Sequence, residues 1–199
     1  VNAPVRAGVR AVLFDLDGTL ADTAADLAYA VNRQRSDRGL GPLPLSALRP
    51  HVSQGARGML RTAFGVTPEH PGYAPLRDEF LEIYAANLLR DTRLFEGMTE
   101  LLTALEARPV AWGIVTNKLT LYTAPLIAGL GLAQRASCVV CGDTCARAKP
   151  FPDPLLEAAA RIGLEPAECL YVGDDERDVQ AARAAGMECL VAGYGYLGD

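Results

Sequence analysis

The 199-residue sequence contains no apolar run approaching the roughly 18 residues that a membrane span requires, so a spanning helix is not expected. Its opening residues, Val1-Asn2-Ala3-Pro4-Val5-Arg6, lack the apolar centre of an export signal and begin without Met. A soluble cytoplasmic protein is the expectation. There is no basic excess: 19 Lys and Arg stand against 24 Asp and Glu, for a formal net charge of -5. That balance argues against nucleic acid as a partner, because the phosphate backbone is met by a basic face. Cysteines are few and odd in number, five in all, so a disulfide framework is not expected in a chain of this size. Cys138-x-x-Cys141 has no second Cys pair, and the only histidines, His51 and His70, lie far off in sequence. A zinc site is therefore disfavoured; within the apolar run Cys138-Val139-Val140-Cys141, the thiols read as small buried hydrophobes. No repeat, low-complexity tract or Gly-rich dinucleotide fingerprint is present.

What is present is a composition that is half hydrophobic and 22% charged, ordinary for a globular protein with one good core and an insertion. The first strong signal is the run Ala11-Val12-Leu13-Phe14, followed by Asp15-Leu16-Asp17-Gly18-Thr19-Leu20. A short apolar run closed by a Gly turn reads as a buried parallel strand. Its two carboxylates then lie at the strand's C-terminal end, where ligands bind in open α/β sheets. Taken alone, they are also explained as turn and cap acids.

From about residue 21 to about 90 the pattern is helical. An Ala-rich helix follows Asp22 or Thr23 as N-cap, Gly39 to Pro44 breaks it, and short helices start near Ser46 and Gly55. An amphipathic helix is expected over 73–89. Nothing in this span reads as a strand, and it is too long for a crossover connection. From about residue 93, helices and strands alternate. Strands are expected at 110–115, 137–141, 170–172 and 187–191, with a helix over 119–130 interrupted near Pro125. The expected fold is α/β: a doubly wound parallel sheet formed by residues 1–20 and 91–199, with a small α-helical cap domain inserted at 21–90.

Polar residues recur at the strand ends: Asp15 and Asp17, then Thr116-Asn117-Lys118, then Lys149-Pro150, then Gly173-Asp174-Asp175-Glu176-Arg177-Asp178. That many acids on one rim need a positive charge among them. Oxygen ligands select a hard cation such as Mg²⁺, which keeps waters and bridges to phosphate. Asp174 and Asp178, four apart, share a helix face. With Lys149 and neutral donors at Thr116 and Asn117, the set suits phosphoryl transfer: an Asp nucleophile, Asp17 as acid and base, and cations on the transferring oxygens.

These motifs carry a resemblance. From about residue 10 onward the chain resembles the haloacid dehalogenase-like hydrolases. Asp15-Leu16-Asp17-Gly18-Thr19 matches the first motif, Thr116-Asn117 the second, Lys149-Pro150 the third and Gly173 to Asp178 the fourth. The resemblance implies Asp15 as nucleophile and Mg²⁺ ligand, Asp17 as acid/base and ligand through its carbonyl, and Asp174 as the other side-chain ligand. Thr116, Asn117 and Lys149 would bind the phosphoryl group, with Asp178 behind them. It also implies that the helical insert closes over a small phosphomonoester, with Val52 to Arg57 as its specificity loop. There Gln54 and Arg57 would touch substrate, although Arg57 reads equally as a solvated helix charge. His51 and Trp112 read as structural, and Lys118 as a solvated side chain. Within the family the chain is similar both to phosphoglycolate phosphatases and to N-acetylmuramic acid 6-phosphate phosphatases of cell-wall recycling. Asp17 disfavours a dehalogenase, which has no alkoxide to protonate, while a sugar phosphomutase keeps both acids and stays open. A receiver domain has no use for the insert, and a non-catalytic binding protein no use for both acids.

Overall fold

A computed structural model describes residues 8–197, so the expected core segment before residue 8 and the last two residues lie outside the described part. Strand β1 (Ala11–Phe14) is fully buried, because it lies at the centre of a parallel sheet covered on both faces. The other strands of that sheet are β4 (Ala111–Val115), β5 (Cys138–Val140), β6 (Cys169–Gly173) and β7 (Glu188–Val191). Their order is β5-β4-β1-β6-β7, all parallel, with Phe14 opposite both Ile114 and Val172.

Alternation along β1 divides the core. Ala11 and Leu13 face a cluster with Leu155, Ala158, Ala181 and Ala182, contributed by α7 (Asp153–Ile162) and α8 (Glu176–Ala185). Val12 and Phe14 face the opposite cluster with Trp112, Met98, Leu102 and Ile127, under α5 (Met98–Glu106) and α6 (Thr120–Gly129). Helices on both faces of one parallel sheet make the fold doubly wound. Trp112 is core, as expected, with its indole N–H donating to Glu106 at 3.0 Å. The helix α6 runs through Pro125 rather than stopping there. One missing N–H costs less than exposing Leu126 and Ile127, both of which are buried.

Between β1 and α5 lies the helical insert: α1 (Ala24–Asp37), α2 (Leu45–Leu48), a 3₁₀ turn over Arg49–Gln54, α3 (Gly55–Phe64) and α4 (Tyr73–Ala86). It has its own core of Leu27, Val31, Leu48, Met59, Leu60, Phe80 and Tyr84, joined by Tyr122 and Tyr196 from the sheet side. One expectation is corrected at its root. Ala21–Asp22 forms a strand, β2, paired antiparallel with β3 (Arg93–Leu94), Ala21 opposite Leu94 and Asp22 opposite Arg93. The two chain crossings into the insert are thus zipped together. Two residues carry no periodicity, so no sequence pattern marks them.

Candidate active site

The turn after β1 is set by Leu16, whose carbonyl accepts from the N–H groups of Thr19, Leu20 and Ala21. Gly18 takes φ +82°, and a side chain there would collide with the Asp174 carboxylate. The turn therefore brings the first acidic motif against the fourth. The Asp15 carboxylate is oriented through Oδ1, which accepts from the Leu16 N–H at 2.7 Å and pairs with Lys149 Nζ at 3.0 Å. Among the described contacts its Oδ2 carries no hydrogen bond or ion pair.

Lys149 is the hub. Its Nζ donates to Asp178 Oδ1 at 2.7 Å, Tyr171 Oη at 2.8 Å and the Val115 carbonyl at 3.0 Å. Burial alone would pull its pKa down, but Asp15 and Asp178 outweigh burial and the ammonium is held charged. Asp178 is fully engaged in holding this lysine and the helix behind it. Its Oδ2 accepts from the Asp175 N–H at 3.0 Å, closing a capping box at the start of α8. Tyr171, which no sequence motif singles out, stands beneath this group and touches both Lys149 and Asp178. Its signal is hidden because a tyrosine in a buried strand reads as core.

Two expectations change. Asn117, expected as a phosphate donor, embraces the Lys149 backbone with its side-chain amide, donating to the carbonyl at 2.8 Å and accepting the N–H at 2.9 Å. It shapes the lysine's loop instead of presenting its amide to a phosphoryl group. Lys118, expected to be solvated, is almost wholly enclosed: its ammonium pairs with Asp17 Oδ2 at 3.0 Å and lies 4.9 Å from the centre of the Tyr84 ring of α4. Burial lowers its affinity for the proton, but Asp17 more than compensates. The other Asp17 oxygen accepts from Thr23 Oγ1 at 2.6 Å. So Thr23 stands at the N-cap position of α1 but does not cap it with its side chain.

Asp174 is buried behind the turn. Its Oδ1 accepts from Thr19 Oγ1 at 3.1 Å, and its Oδ2 from the Tyr196 N–H at 2.8 Å and Ser53 Oγ at 3.4 Å. Carboxylate oxygens of Asp15, Asp174 and Asp178 come within 4.8 Å of one another. Burial pushes Asp15 up to about 7 and Asp174 up to about 6. In the cluster, Asp15, Asp17, Asp174, Asp175 and Asp178 face Lys118, Lys149 and Arg177. With all ionised, two negative charges are left over, the charge of one divalent cation. An all-oxygen donor set of this kind fits Mg²⁺.

A cavity of about 250 Å³ opens over these groups. Its floor includes Asp15, Asp17, Thr116 and Lys149; its roof is Leu27, Val52, Phe80, Leu81 and Tyr84 from the insert. Gln54 lines it, whereas Arg57 is exposed and lies outside the lining. Arg177, part of the fourth motif but given no role from the sequence, lies in the wall, gripped by Asp175 (2.7 and 3.0 Å) and donating to the Ser53 carbonyl at 2.5 Å. All five cysteines are free.

A family model described as haloacid dehalogenase-like hydrolase matches residues 12–192. A phosphoglycolate phosphatase of Xanthomonas campestris pv. campestris is 49% identical over 191 residues, 96% of this chain and 86% of that protein. An N-acetylmuramic acid 6-phosphate phosphatase of Pseudomonas putida is 43% identical over 189 residues, 95% of this chain and 85% of that one. Among solved structures, a predicted phosphoglycolate phosphatase from Haemophilus somnus superposes with TM-score 0.80 at 28% identity, covering 94% of this chain and 85% of the other.

Proposed function

The chain belongs to the haloacid dehalogenase-like hydrolases, and from that premise we propose a Mg²⁺-dependent phosphatase acting in the cytoplasm on a small phosphorylated carboxylic acid. The observation that carries this reading is the pairing of a fixed Asp15 with Lys149 on the floor of a roofed cavity, with Asp17 two residues away on the same turn. Both substrates named for the relatives, 2-phosphoglycolate and N-acetylmuramic acid 6-phosphate, fall in that class.

Asp15 Oδ2 attacks phosphorus while Lys149, releasing one of its present acceptors, and Thr116 take the phosphoryl oxygens, and the ester oxygen leaves with a proton from Asp17. Water, deprotonated by the same Asp17, then attacks the aspartyl-phosphate and restores Asp15. Because both Asp17 oxygens are engaged, one by Thr23 and one by Lys118, the shuttle exchanges a partner when it turns to the leaving group. The side chains of Asp15 and Asp174, with the Asp17 carbonyl, would hold the metal, which when bound supplies positive charge against the transferring oxygens. The helical insert is proposed to act as a cap, hinged at the β2–β3 pair, and to exclude water from the phosphoester. Arg57, exposed as it stands, is not assigned to substrate.

Between the two acids, the roof favours the sugar phosphate as a second reading. Phe80, Tyr84, Leu27, Val52 and Leu81 of the roof and Tyr122 of α6 line the cavity, and a pyranose with acetamido and lactyl groups has apolar surface to meet such a lining. Glycolate has almost none. The test is Mg²⁺-dependent phosphate release from both compounds, with Asp15→Asn as control. We expect a loss of at least about a thousandfold in the control. Release by Asp15→Asn at the wild-type rate, or hydrolysis of neither acid, would overturn the assignment. Accumulation of an isomerised phosphate with slow hydrolysis would convert it to a phosphomutase.

A further inference from the structure

The residues after β7 cross back over the site, and Tyr196 makes contacts there that phosphoryl transfer as described does not use. Only 3% of this tyrosine is exposed. Its backbone N–H donates to Asp174 Oδ2 at 2.8 Å. Its hydroxyl reaches the other end of the turn, accepting from the backbone N–H groups of Thr23 (2.7 Å) and Ala24 (3.1 Å) and donating to Asp22 Oδ1 at 2.8 Å. The guanidinium of Arg49, itself paired with Asp22 at 2.9 Å, lies over the ring at 5.0 Å.

The logic is one of unmet donors. A helix leaves its first N–H groups without internal partners, and the usual remedy is a cap side chain. In α1 that side chain, Thr23, is turned toward Asp17, so a residue from the far end of the chain covers the Thr23 N–H and shares the Ala24 N–H with Asp22 Oδ1, which accepts it at 3.3 Å. Gly195 permits the approach, since a Cβ there would overlap the Asp174 side chain and the Gly18 carbonyl. Tyr194 adds a third tie, its hydroxyl donating to the Thr19 carbonyl at 3.0 Å, and its ring packs on Phe95 at 5.0 Å just beyond β3.

We propose that Tyr196 is a positioning residue that couples the Asp174 carboxylate to the hinge of the helical insert. One residue holds a metal ligand by its backbone and the first turn of α1 by its side chain, with rigid ring atoms between. A swing of the insert about β2 and β3 strains the hydroxyl's bonds at Asp22, Thr23 and Ala24, and the strain is delivered to the orientation of Asp174. Conversely, a cation that fixes Asp174 holds the tail in place and keeps the hinge amides covered. By linkage the effect runs both ways. The inference rests on Asp174 being a metal ligand, as proposed for the phosphatase, but not on the identity of the substrate.

The test is residue-resolved hydrogen exchange at the Thr23 and Ala24 amides, with and without Mg²⁺, in the wild type and Tyr196→Phe. In the wild type Mg²⁺ is expected to slow exchange at both amides. In the variant the Thr23 amide should exchange about tenfold faster and the Ala24 amide, which keeps Asp22 as an acceptor, by less, with the Mg²⁺ response lost at both. Calorimetric Mg²⁺ affinity should stay within about threefold, because the Tyr196 N–H is retained. KM for the phosphomonoester should rise more than kcat falls, as expected when the hinge rather than the reacting groups is loosened. Mg²⁺ protection of equal size in wild type and variant overturns the proposal, as does its absence in the wild type. If Tyr196→Phe does not fold, Asp22→Ala removes the hydroxyl's acceptor; because Asp22 also accepts from the Ala24 N–H at 3.3 Å, the Thr23 amide alone is read, and loss of its Mg²⁺ protection is expected. A wild type that binds Mg²⁺ and protects the amides but releases no phosphate would defeat the phosphatase reading alone.

Discussion

Lys118 and Asn117 lie next to each other and do opposite things to what their chemistry suggests in isolation. A lysine beside a strand end reads as solvent-facing, yet this one is enclosed between Asp17 and the Tyr84 ring. An amide reads as a ligand for phosphate oxygens, yet this one is consumed by the Lys149 backbone. Side-chain direction decides both, and direction is a property of packing rather than of residue type. Lys118→Met should keep the fold and lower kcat by roughly tenfold to a hundredfold, part of what a positioned proton shuttle contributes; steady-state kinetics on the folded variant checks it. Unchanged kcat would mean that Asp17 is held adequately by Thr23 alone. Asn117→Ala frees the loop that delivers Lys149, so KM should rise by about tenfold, the contribution of one to two hydrogen bonds, with inorganic-phosphate inhibition weakened in parallel. The acids themselves were legible because their spacing and strand-end placement recur along the chain. Tyr171 was not, and the ending Tyr194-Gly195-Tyr196 and Arg177 in the fourth motif were visible only as pieces of a resemblance, because their contacts are with partners distant in sequence or through bonds that no pattern encodes.

At the scale of the elements, periodicity served where it had room to repeat. The alternation of Ala11, Val12, Leu13 and Phe14 between two core clusters follows from the pleat of a strand buried on both faces. The helices of the insert were visible from composition and from the Gly and Pro breaks between them. The two-residue strands β2 and β3 were not, since their pairing is between residues some seventy positions apart. The insert's core is shared with the sheet side only through Tyr122 and Tyr196 among its buried residues. Leu60, wholly buried there, should cost about 2–5 kcal/mol on replacement by Ala. Urea unfolding read by circular dichroism measures the loss. If the insert unfolds ahead of the sheet, the transition should broaden or split, and phosphate release should fail before the core melts.

For the whole molecule the dominant fact is an excess of buried negative charge at one end of the sheet. Burial raises Asp15 to about 7, with Asp178, Asp174 and Asp17 adding to it and Lys149 opposing, and it raises Asp174 to about 6. Both lie above the ordinary 3.8 of an unfolded Asp. The folded state therefore holds these protons more tightly than the unfolded state. The stability they contribute is fully present below pH 3.8 and is lost as pH rises through 6 to 7. Metal-free protein should lose thermal stability between about pH 5 and 8 from this source, and Mg²⁺ should raise Tm more at about pH 8 than at about pH 5, because it replaces protons that are then absent. Thermal melts with EDTA or Mg²⁺ at the two pH values decide it; a larger Mg²⁺ shift at the lower pH would contradict the metal site.

The sequence by itself determined the α/β alternation, the central strand, the helical insert and the four acidic or cationic motifs. These depend on residues close together in the chain, whose periodicity and turn chemistry are local. Only the tertiary structure decided which charges meet. Lys118 was brought to Asp17, Asn117 to the back of Lys149, and Tyr196 to the hinge and to Asp174, while Arg57 was left outside the cavity. Ion pairs and hydrogen bonds act over a few ångströms between side chains that packing has already oriented, so they are settled only once the sheet, the insert and the returning tail have closed on one another.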